Sequence, residues 1–85
     1  MLVDVISAQP PDRHQLHLRF NDGTGGIVDI ASLVSFKGVF APLQAQDYFR
    51  QLRVDPDLGT IVWPNGADID PMVLWSAATG QPIPF

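Results

Sequence analysis

A chain of 85 residues, 46% hydrophobic and 16% charged, has the size and composition of one small globular domain and not of a disordered segment. The net charge is −4, and the five basic residues Arg13, Arg19, Lys37, Arg50 and Arg53 are scattered, so no basic stripe exists for direct nucleic-acid binding. Without cysteine there is neither a disulfide nor thiolate chemistry, and no apolar run nears the ~18 residues of a membrane span. With no basic and apolar leader at the N-terminus, a cytoplasmic location is the default expectation. A domain this small buries only about 60–65% of its unfolded surface. Together with the low charge fraction, that leaves apolar surface for a partner or for a homo-oligomer.

Leu2–Ala8 reads as a strand. Val3 and Val5 fall on one face, while Leu2, Ile6 and Ala8 share the other with Asp4, so alternation alone leaves the core face open. Pro10-Pro11-Asp12 ends it. From His14 to Phe20 the alternation is clean, with Leu16, Leu18 and Phe20 on one side and His17 and Arg19 on the other. Asp22-Gly23 predicts the turn into Ile27–Ile30, with Val28 and Ile30 inward and Asp29 outward. Between Ala31 and Gln46, Leu33, Phe36, Val39, Phe40 and Leu43 keep helical spacing. Gly38 and Pro42 interrupt it, which predicts two short helical turns, and Asp47 is the expected cap of another holding Tyr48 and Phe49.

Leu52–Val54 and Thr60–Trp63 flank the turn formers Asp55-Pro56-Asp57-Leu58-Gly59, a second hairpin. Pro64 ends its second strand and Asn65-Gly66 is a tight-turn pair. Asp70 as N-cap, Pro71 at the first position and Gly80 just past the end predict a helix over Pro71–Thr79. Its expected inward stripe is Leu74, Ala77 and Ala78, with Trp75 to one side. The tail Gln81–Phe85, with alternate prolines, should be extended, leaving Ile83 and Phe85 to pack on the domain or a partner. The fold class is therefore α+β over residues 1–85. A small antiparallel sheet of about five short strands, built from two hairpins and an N-terminal strand, would carry short helical turns and a C-terminal helix on one face.

Chemistry is sparse. Asp55, Asp57, Asp68 and Asp70 would supply oxygen ligands to a divalent cation if their two loops met. Their order does not fit a calcium loop, since Gly66 stands at the twelfth position from Asp55. All nine acids are aspartate, the acid suited to turns and caps, so the structural reading competes directly. His14 and His17 face opposite sides of one strand and read as exposed or edge residues. None of Ser7, Ser32, Ser35 and Ser76 sits in a nucleophile elbow. Asp22–Gly26 lacks the lysine of a phosphate loop and precedes a strand, so a hairpin turn is the simpler reading. Trp63 and Trp75 would stack on a base or sugar if exposed, but both lie in apolar runs that suggest core or interface packing. No catalytic, cofactor-binding or metal-ligating residue is assigned.

The strings Phe20-Asn21-Asp22-Gly23, Val28-Asp29-Ile30, Phe40-Ala41-Pro42-Leu43 and Phe49, and above all Gly59 to Pro71 (GTIVWPNGADIDP), resemble the bacterial domain-of-unknown-function family 2442. The resemblance runs from Val3 to Trp75, and Trp75 stands in for the tyrosine often found soon after the Asp-Pro pair. It implies a small α+β domain with no established activity or defined catalytic residues. It also implies a gene neighbourhood suggestive of toxin–antitoxin pairs. Longer relatives append a helix-turn-helix; these residues hold none, so no DNA-binding role is carried over. The expected function is a non-enzymatic protein-interaction domain, with an antitoxin-like or regulatory member of a two-protein module as its specific form. Its expected partner is another small, basic protein. The motif Trp63, Pro64, Asn65, Gly66, Asp68, Asp70, Pro71 and Trp75 is the candidate interaction or structural element. The alternative is a small-molecule or divalent-metal-binding module built on the Asp-rich turns.

Overall fold

Turn chemistry and alternation set the element order seen in the computed structural model, which describes residues 3–83. Leu2, Pro84 and Phe85 lie outside that range, and with them the expectations placed on Leu2 and Phe85. Strands β1 (Val5–Gln9), β2 (Gln15–Phe20) and β3 (Gly25–Asp29) form an antiparallel sheet in that order. Helix α1 (Ile30–Leu33), a 3-10 segment (Gly38–Gln44) and helix α2 (Gln46–Phe49) follow. Strands β4 (Arg53–Asp55) and β5 (Thr60–Val62) form a hairpin, and helix α3 (Pro71–Thr79) closes the chain. The fold is α+β, with five antiparallel strands divided into a three-stranded and a two-stranded sheet. No helix among the described residues is long and apolar enough to cross a membrane.

The core face of β1 is explained by a bulge. Val5 pairs with Phe20 but Ser7 pairs with Arg19, so Ile6 is the extra residue and stands 57% exposed. The bulge reverses the phase of the strand. Val3 and Val5 before it face the core, and Ala8 after it packs on the same side, opposite Leu18. On β2, Leu16, Leu18 and Phe20 are buried and His17 and Arg19 exposed, the pattern of a sheet with one solvated face.

The two sheets meet where Val5 N donates to the Gly59 carbonyl, 2.9 Å away. Gly59 has a positive φ of 70°, so the junction favours glycine, and a side chain there would also push aside the Asp4 carboxylate.

Helix α3 forms for local reasons. Asp70 Oδ1 accepts from Met72 N at 2.7 Å, Pro71 fills the first turn, and Gly80 ends the helix in the left-handed region at φ 76°. Its buried face differs from expectation. Leu74 and Trp75 are buried, Ala78 packs against the core and Ala77 is exposed. The rotation follows from a close approach: a Cβ on Gly26 of β3 would collide with the Ala78 carbonyl. That contact places Ala78 against the sheet and brings Trp75, not Ala77, underneath. Asp47 is likewise not the cap of α2. Ala45 holds that position without a side-chain bond, and Asp47 lies in the first turn, where its charge favours the N-terminus. Instead Asp29 caps α1, its Oδ1 accepting from Ala31 N at 3.1 Å. Beyond α3, residues 81–83 have no regular secondary structure, and Ile83 is half-buried.

Candidate functional site

The stretch from Thr60 to Trp75 is tied to the rest of the chain by several side-chain hydrogen bonds. The Trp63 side chain is 1% exposed, its Nε1 donates to the Phe49 carbonyl at 2.9 Å, and its ring lies 5.8 Å from that of Phe49. Trp63 N donates to the Ala67 carbonyl and Gly66 N to the Trp63 carbonyl, both at 2.9 Å, which closes the loop on itself. Asn65 Oδ1 accepts from Ala67 N at 3.1 Å, and its Nδ2 donates to the Val39 carbonyl at 2.8 Å, tying the loop to the 3-10 segment. Val62 bridges to Asp68, and Thr60 Oγ1 donates to the Ile69 carbonyl at 2.5 Å. Trp75 is 5% exposed and its Nε1 donates to Asp22 Oδ2 at 3.1 Å, joining α3 to the β2–β3 turn. Trp63, Asn65, Gly66, Asp70 and Trp75 are thus engaged in holding the domain together, while the exposed side chains of Pro64 and Asp68 make no hydrogen bond among the described residues and Pro71 is half-buried.

Beside this frame lies a pocket of about 270 Å³ lined by Leu58, Thr60, Asp68, Ile69, Asp70 and Pro71. The β4–β5 turn supplies one wall. Asp55 Oδ1 accepts from Leu58 N at 3.2 Å and Asp57 N at 2.9 Å, so the turn is bonded from within and presents Leu58, 53% exposed. These N–H bonds, that of Leu58 first, hold the Asp55 carboxyl below its ordinary pKa; the Arg53 guanidinium 3.4 Å away adds to the effect and desolvation opposes it. The chain leading into α3 supplies the other wall. Asp68 has no side-chain hydrogen bond among the described residues, and only Oδ1 of Asp70 serves the cap. An apolar surface beside two available carboxylates complements a cation on an aliphatic stem, such as arginine or lysine.

The four acids therefore divide. Asp68 and Asp70 line the pocket; Asp55 organises its turn, and neither Asp55 nor Asp57 contributes to the lining. No group of three or more His and Asp side chains suited to a metal ion occurs among the described residues. His17 is exposed, but His14 is packed. Its ring lies 4.9 Å from Phe36 and 5.1 Å edge-on to Phe49, with Nε2 3.1 Å from the Gln44 carbonyl, to which one tautomer donates. Ser32 and Ser76 donate to Asp29 and to the Gln81 carbonyl. The Asp22–Gly26 turn is filled by its own carboxylate. Asp22 Oδ1 accepts from Thr24 Oγ1 at 2.6 Å and Thr24 N at 3.0 Å, so a negative charge sits where an anion would have to enter. Those Thr24 bonds, joined by Trp75 and opposed by desolvation, lower the Asp22 pKa.

The sequence reading missed Leu58, Thr60 and Ile69 as pocket residues. The one available signal was Leu58, a large aliphatic side chain in a turn of polar residues.

A family model described as a protein of unknown function, DUF2442, matches residues 5–80. No curated protein and no solved structure matches the chain.

Proposed function

The chain belongs to the DUF2442 family of proteins of unknown function, and on that premise we propose that it is a non-enzymatic protein-interaction domain. The observation that carries this reading is the pocket in which exposed Leu58 and half-buried Pro71 adjoin the carboxylates of Asp68 and Asp70. Its occupant is an arginine or lysine of a basic partner protein, with the aliphatic stem on Leu58 and the charge at the acids. The net charge of −4 supports a basic partner through steering. Within this reading, the acidic surface supports an antitoxin-like or regulatory place in a two-protein module.

The second reading, a small-molecule or divalent-metal module, would use the same pocket, whose volume of about 270 Å³ lies at the lower edge of the about 300–1,000 Å³ usual for such sites.

The test is affinity capture from the native host with the wild-type chain and a Leu58→Asp, Asp68→Lys variant as baits. The expected result is a stoichiometric basic protein on the first bait and its loss from the second. Equal capture by both baits, or none by either, refutes the proposal. A thermal-shift screen covers the alternative, since stabilisation by a divalent cation or nucleotide alone would favour the small-ligand reading.

A further inference from the structure

We propose that the free edge of strand β3 pairs with the same edge of a second copy, making a two-fold dimer with a continuous six-stranded sheet. Phe20 N donates to the Thr24 carbonyl and Ile30 N to the His14 carbonyl, both at 2.9 Å. Antiparallel bonding alternates, so Thr24, Gly26, Val28 and Ile30 turn their backbone groups toward β2. Gly25 and Ile27 therefore turn theirs away from it, as does the N–H of Asp29, whose carbonyl opens helix α1. No other strand pairs with this edge among the described residues.

An exposed edge is ordinarily blunted by charged side chains, proline or a bulge. Strand β3, GGIVD, has neither proline nor a bulge, and its one charge, Asp29, stands at its end. Two glycines leave its backbone bare at one end, and Ile27 is 60% exposed on the solvated face.

The occupant follows from self-complementarity. Antiparallel pairing centred on Ile27 sets Ile27 opposite Ile27 of the second copy, and Gly25 opposite Asp29 of the second copy. On β2, Arg19 is the neighbour of Gly25. A Cβ on Gly25 would stand 3.6 Å from Arg19 Cγ, so the arginine stem lies against the glycine's bare Cα. Two strand spacings, about 10 Å, then separate the α-carbons of Arg19 and Asp29 of the second copy, a span that their side chains bridge together. The two-fold repeats the pair on the other side of the isoleucine contact. Arg19 and Asp29 form no ion pair within the chain among the described residues; the Asp29 carboxylate caps α1 through Ala31 N and Ser32 Oγ, and each oxygen keeps a lone pair for a second donor. Helix α3, which packs on the same strand, carries no charged residue and leaves Val73 and Ala77 exposed, so no charge on that side opposes the approach.

This dimer rests on β2 and β3 alone and is independent of the pocket. The test is light scattering with native mass spectrometry on the whole chain, with circular dichroism as the check on folding. The wild type should be dimeric at micromolar concentration. Arg19→Asp and Asp29→Arg should each weaken dimerisation by at least about tenfold, since each places like charges across the two-fold. Mixed one to one, these two variants should form a heterodimer, because each then meets its opposite charge twice. Ile27→Lys should be a folded monomer. A wild type that stays monomeric at about millimolar concentration overturns the proposal. So does a folded Ile27→Lys variant that dimerises as tightly as the wild type, or a mixture of the two charge variants that yields no heterodimer.

Discussion

Replacing Trp63 by phenylalanine isolates what the tryptophan of the Trp-Pro-Asn-Gly turn contributes. The indole is 1% exposed and its Nε1–H bonds the Phe49 carbonyl at 2.9 Å. Phenylalanine keeps one ring but removes the donor, leaving a buried carbonyl unpaired at a cost of about 1–3 kcal/mol. The smaller ring leaves a void where the distal six-membered ring of the indole lay, worth about 1–2 kcal/mol more. The loss of about 2–5 kcal/mol falls on a domain whose whole stability, at its length, is about 4–13 kcal/mol. Urea unfolding followed by the fluorescence of the remaining Trp75 measures it. With a denaturant slope of about 1 kcal/mol per molar, the midpoint should fall by at least about 2 M. A shift below about 0.5 M with an unchanged slope would refute the reasoning, because it would mean that the indole is not the buried donor that closes the core.

Asp70→Ala removes the N-cap of α3 and should cost about 1 kcal/mol, read as a melting temperature lower by about 4–8 °C in thermal circular dichroism. An unchanged melting temperature would mean that Met72 N finds another acceptor. Acid should release α3 from the β2–β3 turn. The folded Asp22 pKa is depressed below 3.8, so the tether's contribution is complete above that value and is lost as pH falls through the folded pKa. Trp75 fluorescence should report that loss below about pH 3.8, and Asp22→Asn should remove this component of the acid transition.

Local grammar made much of the fold readable. Asp70, Pro71 and Gly80 fix the ends of α3 through backbone bonds that need no tertiary partner, and the observed helix has those bounds. The alternation of β2 was equally direct, because one face is buried and the other solvated. What sequence did not reveal depends on contacts between distant elements. Strand β1 was ambiguous because the bulge at Ile6 reverses its phase midway, so that one strand carries two opposite patterns. The face of α3 was misjudged because its rotation is set by the Gly26–Ala78 approach, across fifty residues of chain and more. His14 read as an edge residue because Phe36 and Phe49 reach it only through the fold. The pocket was half legible. Asp68 and Asp70 were singled out, but their pairing with Leu58 depends on how the β4–β5 hairpin meets the start of α3.

If the pocket between Leu58 and Pro71 receives a basic side chain of a partner protein, hydrogen exchange on the captured complex will show it at the pocket walls. Partner binding should add protection to the amides of residues 57–60 and 68–73 and leave those of β1 unchanged. Protection confined to other elements, with Leu58 and Asp68 exchanging as in the free chain, would contradict it.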